Sequence, residues 1–316
     1  MPIGSGAVYA PANLQGVPQN QLWANLFGPD PERIVMTPTA PMTTFNYSSA
    51  GWSGANRCGA TGGTGWGLPV SVPMPTNYVV PSDNTNSGAV FLMPDGRTIK
   101  QMQPIARCTA GGSGTALVAP PEWVVDIYGD GIRGGHGGSG MSSIGGSFRV
   151  GEMRPGQQGM KHAVKINLDG SELYPGVYAW PADRIDTGYT YSGSNPAMKM
   201  GALLAIPPTI SISSLNLESE PGRQLAWTLQ NYGAYIVDTY NGCPCMGWSV
   251  EDGPGGSFSA QFKSDYGLNL AVWNADNTVW SRDIAKLRTA LRVVSNNSPT
   301  SIGGGGTPRQ PLAPAI

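Results

Sequence analysis

Residues 89–103 read AVFLMPDGRTIKQMQ. Two short runs, Ala89–Met93 and Thr98–Gln103, flank Pro94-Asp95-Gly96, where proline presets φ and glycine is free to take φ > 0, so the stretch predicts a β-hairpin. The same texture extends in both directions. Arg33–Met36, Pro69–Val72 and Tyr78–Val80 precede it, and Trp123–Tyr128, Ser147–Val150, His162–Leu168, Val177–Trp180 and Leu203–Ile206 follow, each bounded by turn residues. Regular short strands with Gly/Pro turns predict a mostly β chain, built as an antiparallel β-sandwich or jelly roll and not as βαβ repeats.

The composition agrees. The 316 residues include 45 Gly and 28 Pro, which helix interiors tolerate poorly, so a helical bundle is excluded. Only 12% are charged, yet 40% are hydrophobic and there are nine Trp and twelve Tyr, enough core material to exclude a disordered chain. Two helices are expected in the C-terminal third. Glu220-Pro221 opens one over 221–231, with Gly233 placed to end it; Ser281 caps another over 281–291, with Asp283 suited to its positive end. Between them, Ala234–Tyr240 and Cys243–Val250 read as a hairpin around Asn241-Gly242. Residues 1–31 read as an extended arm with a turn of helix at Gln21–Phe27, 32–296 as one β-sandwich domain, and 297–316 as an irregular tail. The two extended termini could exchange between copies, giving a homo-oligomer.

Nineteen basic and 20 acidic side chains are spread without a block of like charge, which argues against a nucleic-acid or membrane-surface partner. No apolar run of about 18 residues exists to span a bilayer. The start, MPIGSGAVYAPANLQG, lacks the charged and apolar regions of a signal peptide. Low charge with abundant Gly, Asn, Ser and Thr nevertheless points to an extracellular or cell-surface chain whose leader has been removed. Of the cysteines, Cys58 and Cys108 are expected to form a disulfide, with buried free thiols as the alternative. Cys243 and Cys245, two apart on one strand face, could bond each other only with strain. Zinc-type spacing, a Walker loop, HExxH and GxSxG are all missing from the sequence, so no metal and no cofactor is expected.

The chemistry-bearing residues gather between 126 and 191. In DIYGDGIRGGHGGSGMSSIGGSFRVGE (126–152), His136 is flanked by glycines that leave it reachable by a ligand, or bonded to a nearby carbonyl in the bland alternative. Arg149 and Glu152 lie three apart at a strand end, where Gly151 could bring them together through a bulge. In KHAVKINL (161–168), His162, Val164 and Ile166 share one face, and Lys161, Ala163, Lys165 and Asn167 the other. Trp180-Pro181-Ala182-Asp183-Arg184-Ile185-Asp186, followed by Tyr189 and Tyr191, combines rings that stack on sugars with carboxylates that bind hydroxyls or move protons.

The order of GGSGMSSIGGSFRVGEM, MKHAVKINL, YAWPADRID, GALLAIPP and RQLAWTLQNYGAYIVD resembles a widespread group of uncharacterised secreted bacterial proteins. Its pattern is GG-x-x-R-x-x-E, then HAL, WPA-x-R-x-D, an IP turn and Q-x-YG-x-x-V-x-D. The resemblance covers roughly residues 126–240 and departs in HAV for HAL and in the CPC at 243–245. It implies a secreted β-sandwich of jelly-roll type and highlights Arg149, Glu152, His162, Trp180, Asp183, Arg184, Asp186 and Asp238, without supplying a reaction.

These readings converge on a carbohydrate-active protein, first of all a polysaccharide-cleaving enzyme. Hydrolysis would use Glu152 and Asp183, with Asp186 in reserve; elimination would use His162 or Tyr189 as base and Arg149 against a uronate carboxylate. His136, Trp180, Arg184, Asp186 and Tyr189 would bind the substrate together with Arg149. The alternatives are a non-catalytic glycan-binding protein and a structural extracellular or phage-fibre protein.

Overall fold

The hairpin at 89–103 forms, and its second strand runs on to join the two halves of the molecule. The computed structural model describes residues 1–14, 25–53, 55–59, 63–136, 138–188, 190–240 and 246–312. In chain order the first strands are β1 (Tyr9–Pro11), β2 (Asn25–Val35), β3 (Met42–Tyr47), β4 (Val70–Pro73), β5 (Gly88–Leu92), β6 (Thr98–Ala106), β7 (Gly114–Val118) and β8 (Val124–Asp126). They are followed by β9 (Val164–Asp169), β10 (Leu203–Ala205), β11 (Ala234–Tyr240), β12 (Met246–Gly253), β13 (Gly256–Ser257), β14 (Val272–Trp273) and β15 (Arg292–Val294). Helices α1 (Glu220–Asn231), α2 (Phe258–Tyr266) and α3 (Val279–Ala290) lie among the last of these.

β5 and β6 pair antiparallel, Phe91 opposite Lys100 and Leu92 opposite Ile99. Their turn is held by Asp95, whose carboxylate accepts from the amides of Arg97 and Thr98 at 2.9 and 2.8 Å, with Gly96 at φ 68°. β6 pairs β5 and β8 through its first half and β7 through its second. Beyond it, β7, β3 and β4 fold back, so that Phe45, Val72, Phe91, Met102 and Ile105 enclose an apolar core of their own.

The β-rich character is as expected; the antiparallel sandwich is not. The strands form one mixed sheet in the order β1-β15-β10-β11-β9-β12-β2-β5-β6-β7-β3-β4. β2 runs parallel to both β12 and β5, and β9 runs parallel to β11. Parallel neighbours need long crossovers, which local turn residues do not announce. The expected hairpin of 234–240 with 243–250 is corrected for the same reason: β9 lies between β11 and β12, parallel to one and antiparallel to the other. The strand expected at Ser147–Val150 is reduced to an isolated bridge of Phe148 with Val250, and the run expected from His162 begins as β9 only at Val164.

The central strands have one apolar and one polar face. Val164, Ile166 and Leu168 of β9, Met246, Trp248 and Val250 of β12, and Phe27 of β2 belong to a core completed by the helices. There Phe27 stacks on Trp248 at 5.3 Å and meets Trp280 of α3 at 5.5 Å. α1 begins where expected, with Ser219 accepting from the Gly222 amide at 3.0 Å. α3 is capped by Thr278 and not by Ser281. The fully buried Asp283 holds the segment leading into α1 instead, accepting from the Glu218 and Ser219 amides at 2.8 Å each. α2 was not expected, although Ser257 caps it and Gly267 ends it at φ 67°.

β2 begins at Asn25, so residues 25–31 form part of a central strand and not of an arm; the rest of the helical turn expected at Gln21–Phe27 lies outside the described residues. β1 does pair the sheet edge at β15, and Gly4 bridges Pro308, so the two terminal segments pair within one chain. Cys58 and Cys108 form a disulfide. Cys243 and Cys245 lie outside the described residues.

Candidate functional site

The polar face of the central strands is closed by the glycine-rich residues 134–136 and 138–147 and not by helices. Gln101, from the hairpin's second strand, anchors this cover: its Oε1 accepts from the Gly135 and Ser143 amides at 3.1 and 2.8 Å, and its Nε2 donates to the Arg133 carbonyl at 3.0 Å. Beneath the cover, Asp30 and Glu32 of β2, Lys165 and Asn167 of β9, and Asp238 of β11 lie side by side with His136. Alternation places Lys165 and Asn167 opposite Val164 and Ile166. Asp238 needs a further device. It would share the apolar face of Ile236, but the register against β9 slips between Ile236 and Asp238. Val237 is the extra residue; it joins Ile236 in the core, and Asp238 emerges beside Asn167.

At the centre, His136 Nε2 lies 2.7 Å from Glu32 Oε1. Lys165 Nζ is 3.2 Å from the same oxygen and 2.9 Å from that ring nitrogen, and it donates to the Ser142 and Ser143 carbonyls at 3.1 and 2.8 Å. Burial pushes the Glu32 pKa up, but the adjacent Lys165 and His136 outweigh it and hold the carboxyl at about 2. Burial and Lys165 push His136 down, yet Glu32 and Asp238 raise it to about 9. Burial lowers Lys165. Asp30, Glu32 and His136 present ligand atoms within 4.8 Å of one another, as a metal site would. The Lys165 ammonium already occupies that position against Glu32 and His136, so this triad does not suit a metal ion.

Further along the same face, Asp30 Oδ2 accepts from Asn86 and Asn167 Nδ2 at 3.0 and 3.1 Å. Burial, and then the charge of Glu32, raise Asp30 to about 6. Asp186 accepts from Thr239 Oγ1 at 2.7 Å and Tyr191 OH at 3.3 Å; burial, and then Asp238, raise it to about 7. Asp186 is half-buried, so the layer opens toward the loop of residues 180–188.

The residues singled out in the sequence fall into three groups. Asp183 and Arg184 form a surface strip beside Asp186: Asp183 pairs with Arg133, and with Arg184 Nε at 2.8 Å. Trp180, half-buried, lies on the same loop. His136 belongs to the buried layer. Glu152, His162 and Arg149 gather before the start of β9. His162 Nε2 lies 2.9 Å from Glu152 Oε1, and its Nδ1 lies 2.9 Å from the Ala163 carbonyl. Arg149 Nε donates to Glu251 at 3.0 Å, while its amide donates to Glu152 at 2.7 Å. Among the described residues, no hydrogen bond or ion pair joins Asp183 to Glu152 or His162. Tyr189 lies outside the described residues.

The Glu152–His162 pair has a pH signature. Burial pushes the His162 pKa down, but the hydrogen bond and charge of Glu152 outweigh it and raise it above the ordinary 6.5. Its stabilisation is therefore fully present below the unfolded value and lost as pH rises through the raised folded value. The Tm gap between wild type and Glu152→Gln should shrink from pH 6 to pH 9. A gap that stays constant over that range would refute the assignment.

Sequence reading did not single out Asp30, Glu32, Asn86, Lys165 or Asn167. For Lys165 and Asn167 the signal was present: a lysine and an asparagine on the second face of a strand whose first face is apolar. No protein-family model, curated protein or solved structure matches this chain.

Proposed function

We propose that the chain is an extracellular carbohydrate-active protein that binds an acidic polysaccharide along its loop of residues 180–188. The observation that carries this reading is the strip in which Arg133 and Arg184, both in contact with Asp183, lie beside the half-buried Asp186 and Trp180. The Arg133 and Arg184 side chains are 50% and 36% exposed. Guanidinium forks bind carboxylates in two-pronged fashion, carboxylates accept from sugar hydroxyls, and an indole offers a face to a pyranose ring. A uronate would compete with Asp183 for the two arginines. The Cys58–Cys108 disulfide fits an oxidising compartment, and no described helix is long and apolar enough to cross a membrane.

Binding is favoured over cutting because the groups expected to move protons are already engaged. Both ring nitrogens of His162 have partners, and Asp183 is held between two guanidiniums. The test is affinity electrophoresis against polygalacturonate, alginate and a neutral glucan, with reducing ends and unsaturated uronates scored in parallel. Retention by an acidic polymer is expected, weakened at least tenfold in Arg133→Ala/Arg184→Ala at unchanged Tm. Equal retention of the double variant, or no retention on either acidic polymer, would sink this reading; released ends would make the protein an enzyme.

A further inference from the structure

The buried polar layer is short of positive charge. Among the described residues, Asp30, Glu32, Asp186 and Asp238 face two cationic side chains, His136 and Lys165, and both of those lie on Glu32. His136 Nδ1 comes no nearer than 3.5 Å to Asp238 Oδ2. Asp30 is met by the amides of Asn86 and Asn167, and Asp186 by hydroxyls. Arg133 and Arg184 sit half-exposed on Asp183. With all four carboxyls ionised, two negative charges are left without a counter-charge among these largely buried groups, a costly arrangement.

A second observation points to what supplies it. Asn167 is 1% exposed, and its Oδ1 has no hydrogen-bond partner among the described residues. The same amide lies against Asp30 through Nδ2, at 3.1 Å, and the sheet register sets Asn167 beside Asp238. This side chain therefore lies between Asp30 and Asp238 with a buried carbonyl oxygen that has no donor to accept from; a cation would satisfy it and the carboxylates together. The cover also approaches closely here. A Cβ on Gly138 would come within 2.6 Å of Asp186 Oδ2 and 2.8 Å of Asp238 Oδ1.

We propose that Asp30, Asp186, Asp238 and Asn167 Oδ1 bind one hard divalent cation of the calcium class beneath Gly138. The donor set is all oxygen, which disfavours soft metals. Calcium accepts irregular arrangements of six to eight oxygens, whereas magnesium demands a near-ideal octahedron. Asn86, whose Nδ2 now lies 3.0 Å from Asp30 and 3.4 Å from Asp238, would turn its amide oxygen inward as a further ligand. This differs from the Asp30–Glu32–His136 triad in leaving Lys165 where it is. It does not depend on the glycan reading, since every ligand belongs to the chain.

The test uses the full chain, stripped with EGTA and exchanged into chelator-free buffer, then titrated with CaCl2 or MgCl2 in a calorimeter. Calcium should bind at one site per chain, raise Tm by several degrees at millimolar concentration, and bind at least tenfold more tightly than magnesium. Asn167→Ala should weaken calcium at least tenfold. Because that residue is buried and its loss could unfold the chain, the half-buried Asp186→Asn provides a second arm, with the same loss expected at a chelated Tm within a few degrees of wild type. No calcium heat and no Tm change in the wild type would overturn the proposal. So would wild-type calcium affinity in both variants, which would place the ion elsewhere.

Discussion

Lys165→Met is expected to destabilise the fold by about 3–5 kcal/mol, the usual consequence of leaving one member of a buried ion pair without its partner. The variant leaves Glu32 ionised against His136 alone and removes the donor from the Ser142 and Ser143 carbonyls. Methionine fills most of the lysine stem's volume, so the loss reports the charge and its hydrogen bonds more than a cavity. Urea denaturation of Lys165→Met, Glu32→Gln and the double variant separates the contributions. If Lys165 and Glu32 act as a pair, the double variant is more stable than the sum of the single losses predicts. Strictly additive losses would show that Lys165 serves the two carbonyls and not Glu32.

The Cys58→Ser/Cys108→Ser variant should lose about 4 kcal/mol, the chain-entropy value for a bridge that closes a loop of this length. The two cysteines are separated by 50 residues. The folded loop has other ties: the buried Arg57 guanidinium donates to the Gly51 and Thr85 carbonyls, each at 2.7 Å. These bonds act only in the folded chain, whereas the bridge restricts the unfolded one, so they cannot replace it. A urea midpoint equal to that of the parent protein would mean that the unfolded chain is already confined in this region by other contacts.

What could be read from the sequence was what neighbours along the chain decide. The hairpin around Pro94-Asp95-Gly96 formed because its turn residues carry their own geometry, and α1 formed because Ser219, Pro221 and Gly233 punctuate it. The inter-strand order was not readable, because β9 enters between β11 and β12 from more than sixty residues upstream in the chain. The site suffered from the same blindness. Asp30 and Glu32 alternate around Pro31 at the boundary where the expected arm ends, and only the pairing of β2 with β12 and β5 places them at the middle of the sheet. Glu152 and His162, each singled out in the sequence and ten residues apart in it, do come together. Asp183 was not separable from them, since nothing local says which end of β9 a loop returns to.

The extra residue at Val237 makes the chemistry of β11 a matter of parity. Up to Ile236 the strand presents its apolar residues to the helices; from Asp238 onward the assignment of faces is reversed, and a carboxylate arrives in the charged layer with no change in composition. If Val237 were instead paired in ordinary alternation, the valine would face the charged layer and Asp238 the apolar core. Deleting Val237 would let Asp238 follow Ile236 directly in regular register, still opposite Asn167, and would cost the core one valine and not the layer its carboxylate. The bulge thus lets β11 give two successive residues to the core while its carboxylate keeps its place in the charged layer.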